Sequence, residues 1–206
     1  MNNPLIHEEA LYQAGFLTVG GVDEAGRGPL AGPVVASAVI LPRGLVIEGV
    51  DDSKKLTAKR RSELAAVIKE TALSYAIGYV DCKTVDTINI LQATLLAMRY
   101  AVETLTVKPD ALIIDGLQAP KLDKIYTVCL PYGDTLSHSC AAASIIAKTE
   151  RDAIMVKIHE QYPHYGFNIH KGYGTKAHIN AIKEFGLCPQ HRVSFKIKGL
   201  ACIKSS

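Results

Sequence analysis

The sequence predicts an α/β fold in which a mixed sheet is flanked by helices and a small helical region follows at the C-terminal end. Near the start, two β-branched runs stand close together, which is typical of neighbouring strands. Further along, short apolar runs alternate with segments of helical periodicity, the pattern of strands joined by crossover helices. The last third of the chain differs in composition, because most of the histidines and much of the positive charge lie there.

Length and composition set the limits of this prediction. The chain has 206 residues, 48% hydrophobic and 21% charged, so it can bury a core without disulfides or metals. A disordered or collagen-like chain is excluded. We expect one main domain over residues 1–163 and a small basic region over 164–206 that packs on it.

The first half of the chain carries three predicted strands and one helix. Residues 16–22 form an apolar run, and residues 33–41 form a second one that opens with Gly-Pro. From Thr57 the pattern becomes helical, with Thr57 itself as the expected N-cap. Residues 74–80 then predict a third strand.

The second half begins with the most regular helix signal, in which apolar residues recur at intervals of three and four over 86–105. Residues 111–116 are a short continuous apolar run, typical of a buried and often parallel strand. A further strand is predicted over 125–130, and a helix rich in small residues over 137–162. Thr175 is the expected N-cap of a last helix.

Nothing in the sequence indicates a membrane or secreted protein. The start of the chain has neither a secretory nor a transit signal, and the longest uncharged stretch, 28–42, has 15 residues and three prolines. A membrane-spanning helix needs about 20 apolar residues. The five cysteines form no C-x-x-C pair and are expected to be reduced thiols. We therefore expect a cytoplasmic monomer.

Acidic residues stand where three of the predicted strands end. Asp23 and Glu24 close the first strand, Asp115 closes the fourth, and Asp134 follows the fifth after a Pro-Tyr-Gly turn. Ligand sites in sheets with parallel strands lie at such ends. Clustered carboxylates there would favour hard divalent cations such as Mg²⁺ or Mn²⁺, and two ions of this kind can support phosphodiester hydrolysis. Taken singly, each acid is more often a solvated, turn or capping residue than a metal ligand.

The glycine-rich segment around the first acids raises two points. Successive residues on a strand face opposite sides, so Asp23 and Glu24 reach one site together only if the chain bends near Ala25 and Gly26. Residues 20–33 are not a dinucleotide fingerprint, because prolines and a strand follow instead of a helix. Gly26–Gly28 nevertheless offers exposed backbone beside the Arg27 guanidinium, which is suited to phosphate.

Six segments of the chain form a specific pattern when they are taken together. They are GVDEAGRGPLAGPVVASAVIL (21–41), DDSKKLTAKRR (51–61), IDG (114–116), AAASIIAKTERD (141–152), YGFNIHKGYGT (165–175) and HRVSF (191–195). In this order they resemble the signature blocks of bacterial ribonuclease HII, and they extend over essentially the whole chain. The resemblance implies a ribonuclease H-like core.

The resemblance also implies an activity and its site residues. The activity is metal-dependent cleavage of the RNA strand of RNA/DNA hybrids, together with nicking 5′ of a single ribonucleotide in duplex DNA to leave 3′-hydroxyl and 5′-phosphate ends. By motif, the catalytic and metal-binding acids fall on Asp23, Glu24, Asp115 and Asp134, with two Mg²⁺ or Mn²⁺ ions when substrate is bound. Asp152 competes for the fourth place, but it follows Lys148 by four residues, where an ordinary ion pair explains it.

Substrate recognition should depend on shape and sugar, because such an enzyme must act at any base sequence. The 2′-hydroxyl is the group that distinguishes RNA from DNA at one position. The resemblance assigns the backbone of Gly26, Arg27 and Gly28 to that hydroxyl, and Tyr173 to the next deoxyribose. Without the resemblance, the favoured explanation of Tyr173 is an exposed turn residue between two glycines.

The basic C-terminal part is expected to contact substrate phosphates. From residue 148 onward there are ten Lys and Arg against four Asp and Glu, whereas residues 1–147 carry thirteen against sixteen, so the formal charge of +3 conceals two opposed parts. The phosphate-contact candidates are Lys148, Lys171, Lys176, His191, Arg192, Lys196 and Lys198. Lys54 is assigned to substrate-backbone binding or to loop structure, and residues 199–206 show no sliding-clamp motif.

Two other functions agree with parts of the sequence. Another two-metal nuclease or strand-transfer enzyme of the same fold would need the acids, but not Gly26–Gly28 or Tyr173. A non-catalytic hybrid-binding protein would have no reason to keep four carboxylates where phosphates must approach.

Overall fold

The computed structural model describes residues 3–51 and 53–197. Its strands are β1 (Val19–Ala25), β2 (Val34–Ile40), β3 (Ser74–Val80), β4 (Ala111–Asp115) and β5 (Tyr126–Leu130). Its helices are α1 (Ile6–Gln13), α2 (Ala58–Thr71), α3 (Cys82–Glu103), α4 (Gly133–Leu136), α5 (His138–Gln161), α6 (Phe167–His170) and α7 (Lys176–Phe185), with a 3-10 turn over Pro163–Tyr165. The predicted α/β class is confirmed.

The five strands form one mixed sheet in the order β3-β2-β1-β4-β5. β1 pairs antiparallel with β2 and β2 with β3, whereas β1 with β4 and β4 with β5 are parallel. Because β1, β4 and β5 run in the same direction, their carboxyl ends lie at one edge of the sheet. In register, Val22 pairs with Ile114 and Asp115 pairs with Leu130.

Helices cover both faces of the sheet. On one face α3 packs on a core that contains Ala36, Leu112 and Ile114. On the other face α2 and α5 pack on a core around Val39 and Ile145. β1, β2 and β4 are buried almost throughout, which is why they appear in the sequence as continuous apolar runs and not as alternating ones.

The helix starts test the sequence predictions most directly. Thr57 and Thr175 are the N-caps of α2 and α7, as predicted, and each accepts the backbone N–H three residues later. α3 begins at Cys82 and not at residue 86, because Asp81 caps a polar first turn that the apolar periodicity could not reveal. The helix is interrupted at Asn89, which has a φ of 66°.

The described part of the C-terminal region packs on the second half of α5. Phe167 and Ile182 join Met155 and Ile158 of α5 in a separate apolar cluster. Lys198 and the predicted absence of a clamp motif in 199–206 lie outside the described residues. None of the helices in the described ranges combines the length and apolar character that crossing a bilayer requires. Four cysteines of the described part are free thiols.

Candidate active site

Three of the predicted acids come together at the edge of the sheet. Asp23, Asp115 and Asp134 each offer a carboxylate oxygen, and these oxygens lie within 4.8 Å of one another. We call these three residues the acid cluster. Asp23 and Asp134 are buried, each with 5% of its surface exposed, and Asp115 is half-buried. The parallel pairing of β1, β4 and β5 brings these acids together, although Asp115 follows Asp23 by 92 positions in the sequence.

The short turn after β5 places Asp134 in the acid cluster. Tyr132 adopts a left-handed conformation with a φ of 61°, a geometry that costs a non-glycine residue about 1–2 kcal/mol. The N–H of Gly133 then donates to Asp115 Oδ1 at 2.7 Å. A Cβ at Gly133 would lie 3.3 Å from that same oxygen, so any other residue there would push Asp115 aside by a few tenths of an ångström.

Glu24 lies beside the acid cluster and not within it. β1 pairs regularly with β2 as far as Ala25, so the Cβ atoms of Asp23 and Glu24 leave opposite faces of the strand, although the two carboxyl groups interact at the strand end. Glu24 faces α3, where it lines a cavity with Asp115, and its Oε1 accepts from the Arg27 guanidinium at 3.4 Å. The expected bend occurs at Gly26, whose φ is +103°, directly after the end of β1.

Burial, together with repulsion between neighbouring carboxylates, raises pKa values in the acid cluster. Burial, followed by the charges of Glu24 and Asp115, raises the pKa of Asp23 well above its ordinary value. Burial also raises the pKa of Asp115, although the Gly133 N–H opposes that shift. Because the donors are carboxylate oxygens held close together and poorly solvated, the site matches the ligand preference of a hard divalent cation. The residues present therefore fit a metal of the Mg²⁺ or Mn²⁺ type.

Lys54 lies at the rim of the acid cluster. Its Nζ is 3.2 Å from Asp134 Oδ2, although most of its side chain is exposed. The neighbouring Ser53 is anchored on two sides, since its carbonyl accepts from Arg61 and its hydroxyl bonds Ser144 at 2.7 Å. This anchoring holds the loop so that Lys54 projects toward the acids.

Asp152, the alternative fourth acid, lies outside the acid cluster. One of its oxygens accepts from Lys148 at 2.7 Å and the other pairs with Arg61 at 3.4 Å. The ion pair predicted from the four-residue spacing is therefore present, with Arg61 of α2 as a second partner. Both carboxylate oxygens are used for helix packing.

Two segments expected to recognise substrate lie against each other. A Cβ built on Gly28 would be 3.7 Å from the Tyr173 ring, which is partly exposed. The Lys148 Nζ lies 5.8 Å and the Arg151 Cζ 5.9 Å from the centre of that ring, within the range of cation–π contacts. The backbone predicted to be exposed over Gly26–Gly28 is exposed at Arg27 and Gly28, but Gly26 is buried. We call this loop, Gly26–Gly28, together with Tyr173 the recognition surface.

The prediction that Arg192 contacts phosphate at the surface is wrong. Arg192 has only 1% of its surface exposed, and its guanidinium donates to backbone carbonyls on the loop after β1. His191 is also buried, with 3% exposed, so it too is not a surface phosphate ligand. Composition alone suggested the opposite, since arginine is rarely buried completely. Of the remaining candidates in the described part, Lys176 and Lys196 are exposed, and Lys171 and Lys148 are half-buried.

Arg151 is a residue that sequence reasoning missed. It is completely buried, and its guanidinium donates to carbonyls of Ala31, Pro33 and Lys171. The available signal was its position on α5, one helical turn from Ala147 and from Met155, both of which are buried. An arginine on the apolar face of a helix indicates that the segments packed against that face provide carbonyl or carboxylate acceptors for it.

A chain of hydrogen bonds leads from Cys188 through two histidines to the carbonyl group of Tyr173. The Cys188 N–H donates to His191 Nδ1 at 2.9 Å, and His178 Nδ1 bonds the Tyr173 carbonyl oxygen at 2.9 Å. The two Nε2 atoms are 3.1 Å apart. Since a carbonyl only accepts, His178 Nδ1 carries a hydrogen, and His191 Nε2–H must donate to His178 Nε2. Both imidazoles are therefore neutral.

This histidine pair predicts acid sensitivity of the fold. Burial, opposed by the bond to Tyr173, lowers the pKa of His178 to about 4, and burial with the neighbouring His178 lowers that of His191 to about 4. The unfolded chain takes up these protons near pH 6.5 and the folded chain does not, so stability is full above about pH 6.5 and falls toward pH 4. We expect the free energy of unfolding, measured with urea, to be lower at pH 4.5 than at pH 7.5 by at most about 3 kcal/mol for each histidine.

A variant comparison separates this effect from the titration of the acids. His178→Gln removes one of the two buried imidazoles, so its free energy of unfolding should depend less steeply on pH than that of the wild type. His7→Gln, on α1, is the control for the loss of an imidazole outside the pair. Equal slopes for wild type and His178→Gln would contradict the assignment.

Comparison with known proteins agrees with this geometry. A family model described as ribonuclease HII matches residues 20–198. The chain is 53% identical over 193 residues to ribonuclease HII of Ruminiclostridium cellulolyticum, which covers 93% of this chain and 74% of that protein. It is 52% identical over 191 residues to ribonuclease HII of Chlamydia caviae, with 92% and 89% covered.

A solved structure shows the same architecture. The crystal structure of ribonuclease H2 from Pyrococcus horikoshii OT3 superposes with a TM-score of 0.74 at 26% identity, over 88% of this chain and 95% of that one. Fold, motif order and sequence similarity along most of the chain are thus in agreement. The chain belongs to the ribonuclease HII family, whose members are metal-dependent endonucleases that act on RNA/DNA hybrids.

Proposed function

We propose that this ribonuclease H, besides cleaving the RNA strand of hybrids, nicks duplex DNA on the 5′ side of a single embedded ribonucleotide and leaves 3′-hydroxyl and 5′-phosphate ends. The observation that carries the proposal is the recognition surface, which lies a few residues beyond the acids of β1. A nuclease that needed only metal and phosphate would have no use for exposed glycine backbone packed beside an aromatic ring.

The acids have separate parts in this proposal. Asp23, Asp115 and Asp134 hold the metal, and Glu24, on the adjoining face, completes the set from beside Asp115. We propose two ions, Mg²⁺ or Mn²⁺, with substrate present. When bound, such ions activate the attacking water and stabilise charge on the leaving 3′ oxygen. Lys54 places a positive charge at the rim, where a substrate phosphate would approach.

The recognition surface supplies the selectivity for sugar. Exposed backbone at Arg27 and Gly28 can hydrogen-bond a 2′-hydroxyl. The flat ring of Tyr173 packs well against a deoxyribose, and less well where a 2′-hydroxyl intrudes. The half-buried Lys148 and Lys171 and the exposed Lys176 and Lys196 are proposed phosphate contacts. We also propose a cytoplasmic monomer, in keeping with the free cysteines of the described part.

One experiment tests this function. Duplex DNA carrying a single ribonucleotide is compared with the same duplex made entirely of DNA, in Mg²⁺, in Mn²⁺ and in excess chelator. We expect a nick 5′ of the ribonucleotide with either metal, and none with chelator or with the all-DNA duplex. Cutting of the all-DNA duplex would favour a less selective two-metal nuclease. Binding without cleavage under all conditions would favour a non-catalytic hybrid-binding protein.

Tyr173→Ala tests the recognition of the deoxyribose. We expect kcat/KM to fall about tenfold on the single-ribonucleotide duplex, which corresponds to about 1.4 kcal/mol of lost ring contact, and less than about threefold on an RNA/DNA hybrid. Tyr173→Phe keeps the ring and should behave as the wild type on both substrates. Equal losses on the two substrates for Tyr173→Ala would show that the ring does not recognise the junction.

A further inference from the structure

Arg192 is a buried cation whose partners are backbone carbonyls. Its guanidinium donates to the oxygens of Gly26 at 2.6 Å, Arg27 at 3.1 Å, Pro29 at 2.9 Å and Gly32 at 2.8 Å. Within the described ranges it forms no ion pair with a carboxylate. Burying a charge costs free energy unless its hydrogen bonds are satisfied. We therefore ask what the contacts between Arg192 and this loop do for the protein.

Peptide geometry gives these carbonyl contacts a consequence on the other side of the loop. The Gly26 oxygen and the Arg27 N–H belong to one peptide group, and the Arg27 oxygen and the Gly28 N–H belong to the next. Both groups are trans, so each N–H points away from its oxygen. Because Arg192 draws the two oxygens inward, the N–H groups of Arg27 and Gly28 are directed outward.

The two outward amides are available to a ligand. In the described part of the chain, neither the Arg27 nor the Gly28 N–H has a hydrogen-bond acceptor, and both residues are exposed. The Tyr173 ring lies next to Gly28. Two neighbouring free N–H groups form a donor pair that fits one oxygen atom of a substrate.

Further hydrogen bonds between side chains and backbone fix the same arrangement. Arg151 donates to carbonyls on two segments at once, at 3.0 Å to Pro33 in the loop and at 3.1 Å to Lys171 in the turn before Tyr173. Asp86 of α3 accepts the backbone N–H groups of the two residues that follow Arg192, at 3.0 and 2.9 Å. The loop, the turn and the Arg192 backbone are thereby held to the helices as one unit.

We propose that Arg192 is a positioning residue that holds the Arg27 and Gly28 amides as a preformed donor pair for the 2′-hydroxyl oxygen of the substrate ribonucleotide. This inference rests on the proposed function and adds to it the residue that holds the backbone of the recognition surface in place. A donor pair already fixed by buried contacts needs no reordering when substrate arrives, which favours binding of the correct sugar.

The test measures selectivity in binding, apart from cleavage. Dissociation constants are determined with Ca²⁺ in place of Mg²⁺ for a duplex with one ribonucleotide and for the same all-DNA duplex, and gel analysis verifies that the substrate stays intact. For Arg192→Met the preference for the ribonucleotide should fall about tenfold, the effect of losing one to two net hydrogen bonds. Arg192→Lys, which keeps the charge but not the planar fork, should show an intermediate loss.

Leu105→Ala is the matched control, because it creates a cavity in the α3 core far from the loop. It should lower the melting temperature and leave the binding preference unchanged. Arg192→Met that folds and keeps the wild-type preference would overturn the proposal. Should Arg192→Met fail to fold, Arg192→Lys decides in the same way.

A measurement on the wild type is independent of any variant. Amide resonances of Arg27 and Gly28 should shift when the ribonucleotide duplex is added and not with the all-DNA duplex, and unshifted resonances would overturn the donor-pair assignment.

Nicking by the wild type in Mg²⁺ is measured first. Its absence refutes the proposed function, whereas nicking together with an unchanged preference in the Arg192 variants refutes only the role of Arg192.

Discussion

Asp115→Asn should lower the rate of cleavage about a thousandfold while the affinity for an RNA/DNA hybrid changes less than about threefold. Asp115 belongs to the acid cluster, where its Oδ1 accepts the Gly133 N–H and its charge contributes to the raised pKa of Asp23. A neutral amide keeps the shape but loses one charge that binds metal. A thousandfold lower rate corresponds to a loss of about 4 kcal/mol of transition-state stabilisation.

The control for this variant lies on the same segment. Asp110 immediately precedes β4 at the opposite end and accepts the backbone N–H groups of Leu17 and Thr18. Asp110→Asn should therefore affect stability slightly and leave cleavage close to that of the wild type. Single-turnover rates and hybrid affinities, measured on both variants, check the prediction. If Asp115→Asn lost cleavage, binding and folding together, a structural role for Asp115 would be indicated instead.

Asp134→Asn should reduce cleavage at least about a hundredfold, whereas Asp152→Asn should reduce it less than about fivefold. Asp134 belongs to the acid cluster, but both oxygens of Asp152 are occupied by Lys148 and Arg61. The expected cost of Asp152→Asn is a loss of stability of about 1 kcal/mol, because its ion pairs are partly exposed.

Cleavage rates and melting temperatures of the two variants decide between the two acids. A large loss of activity in Asp152→Asn with full activity in Asp134→Asn would reverse the assignment. Because the two substitutions are chemically identical, the comparison isolates position from charge.

The secondary structure was predictable wherever burial was continuous or periodic. β3 extends over the residues that its sequence pattern predicts, and α5 is bounded by Ser137 and Tyr162, the residues at the ends of the predicted segment. The first turn of α3 was not predictable from apolar spacing, because it is polar and depends on the Asp81 cap. Local hydrogen bonds between a side chain and the backbone leave only a weak trace in hydrophobic periodicity.

The candidate acids were predictable because they follow apolar runs and stand in motifs of specific order. Their arrangement was not, since the order and direction of the strands decide which strand ends meet at one edge of the sheet. The roles of Arg192 and Arg151 were also hidden. Whether an arginine meets a phosphate or a set of carbonyls depends on which segments pack over it, and those segments are far apart in the chain.

The sequence by itself determined the α/β class, the positions of most strands and helices, the acidic residues at strand ends and the family to which the chain is similar. Only the tertiary structure decided that three of the four acids form one cluster with Glu24 beside it, that Asp152 is used in helix packing, and that Arg192 faces inward. The reason is physical. Periodicity and turn chemistry act between near neighbours along the chain, whereas metal sites and buried charges are set by contacts between distant segments that form only when the sheet and its helices pack together.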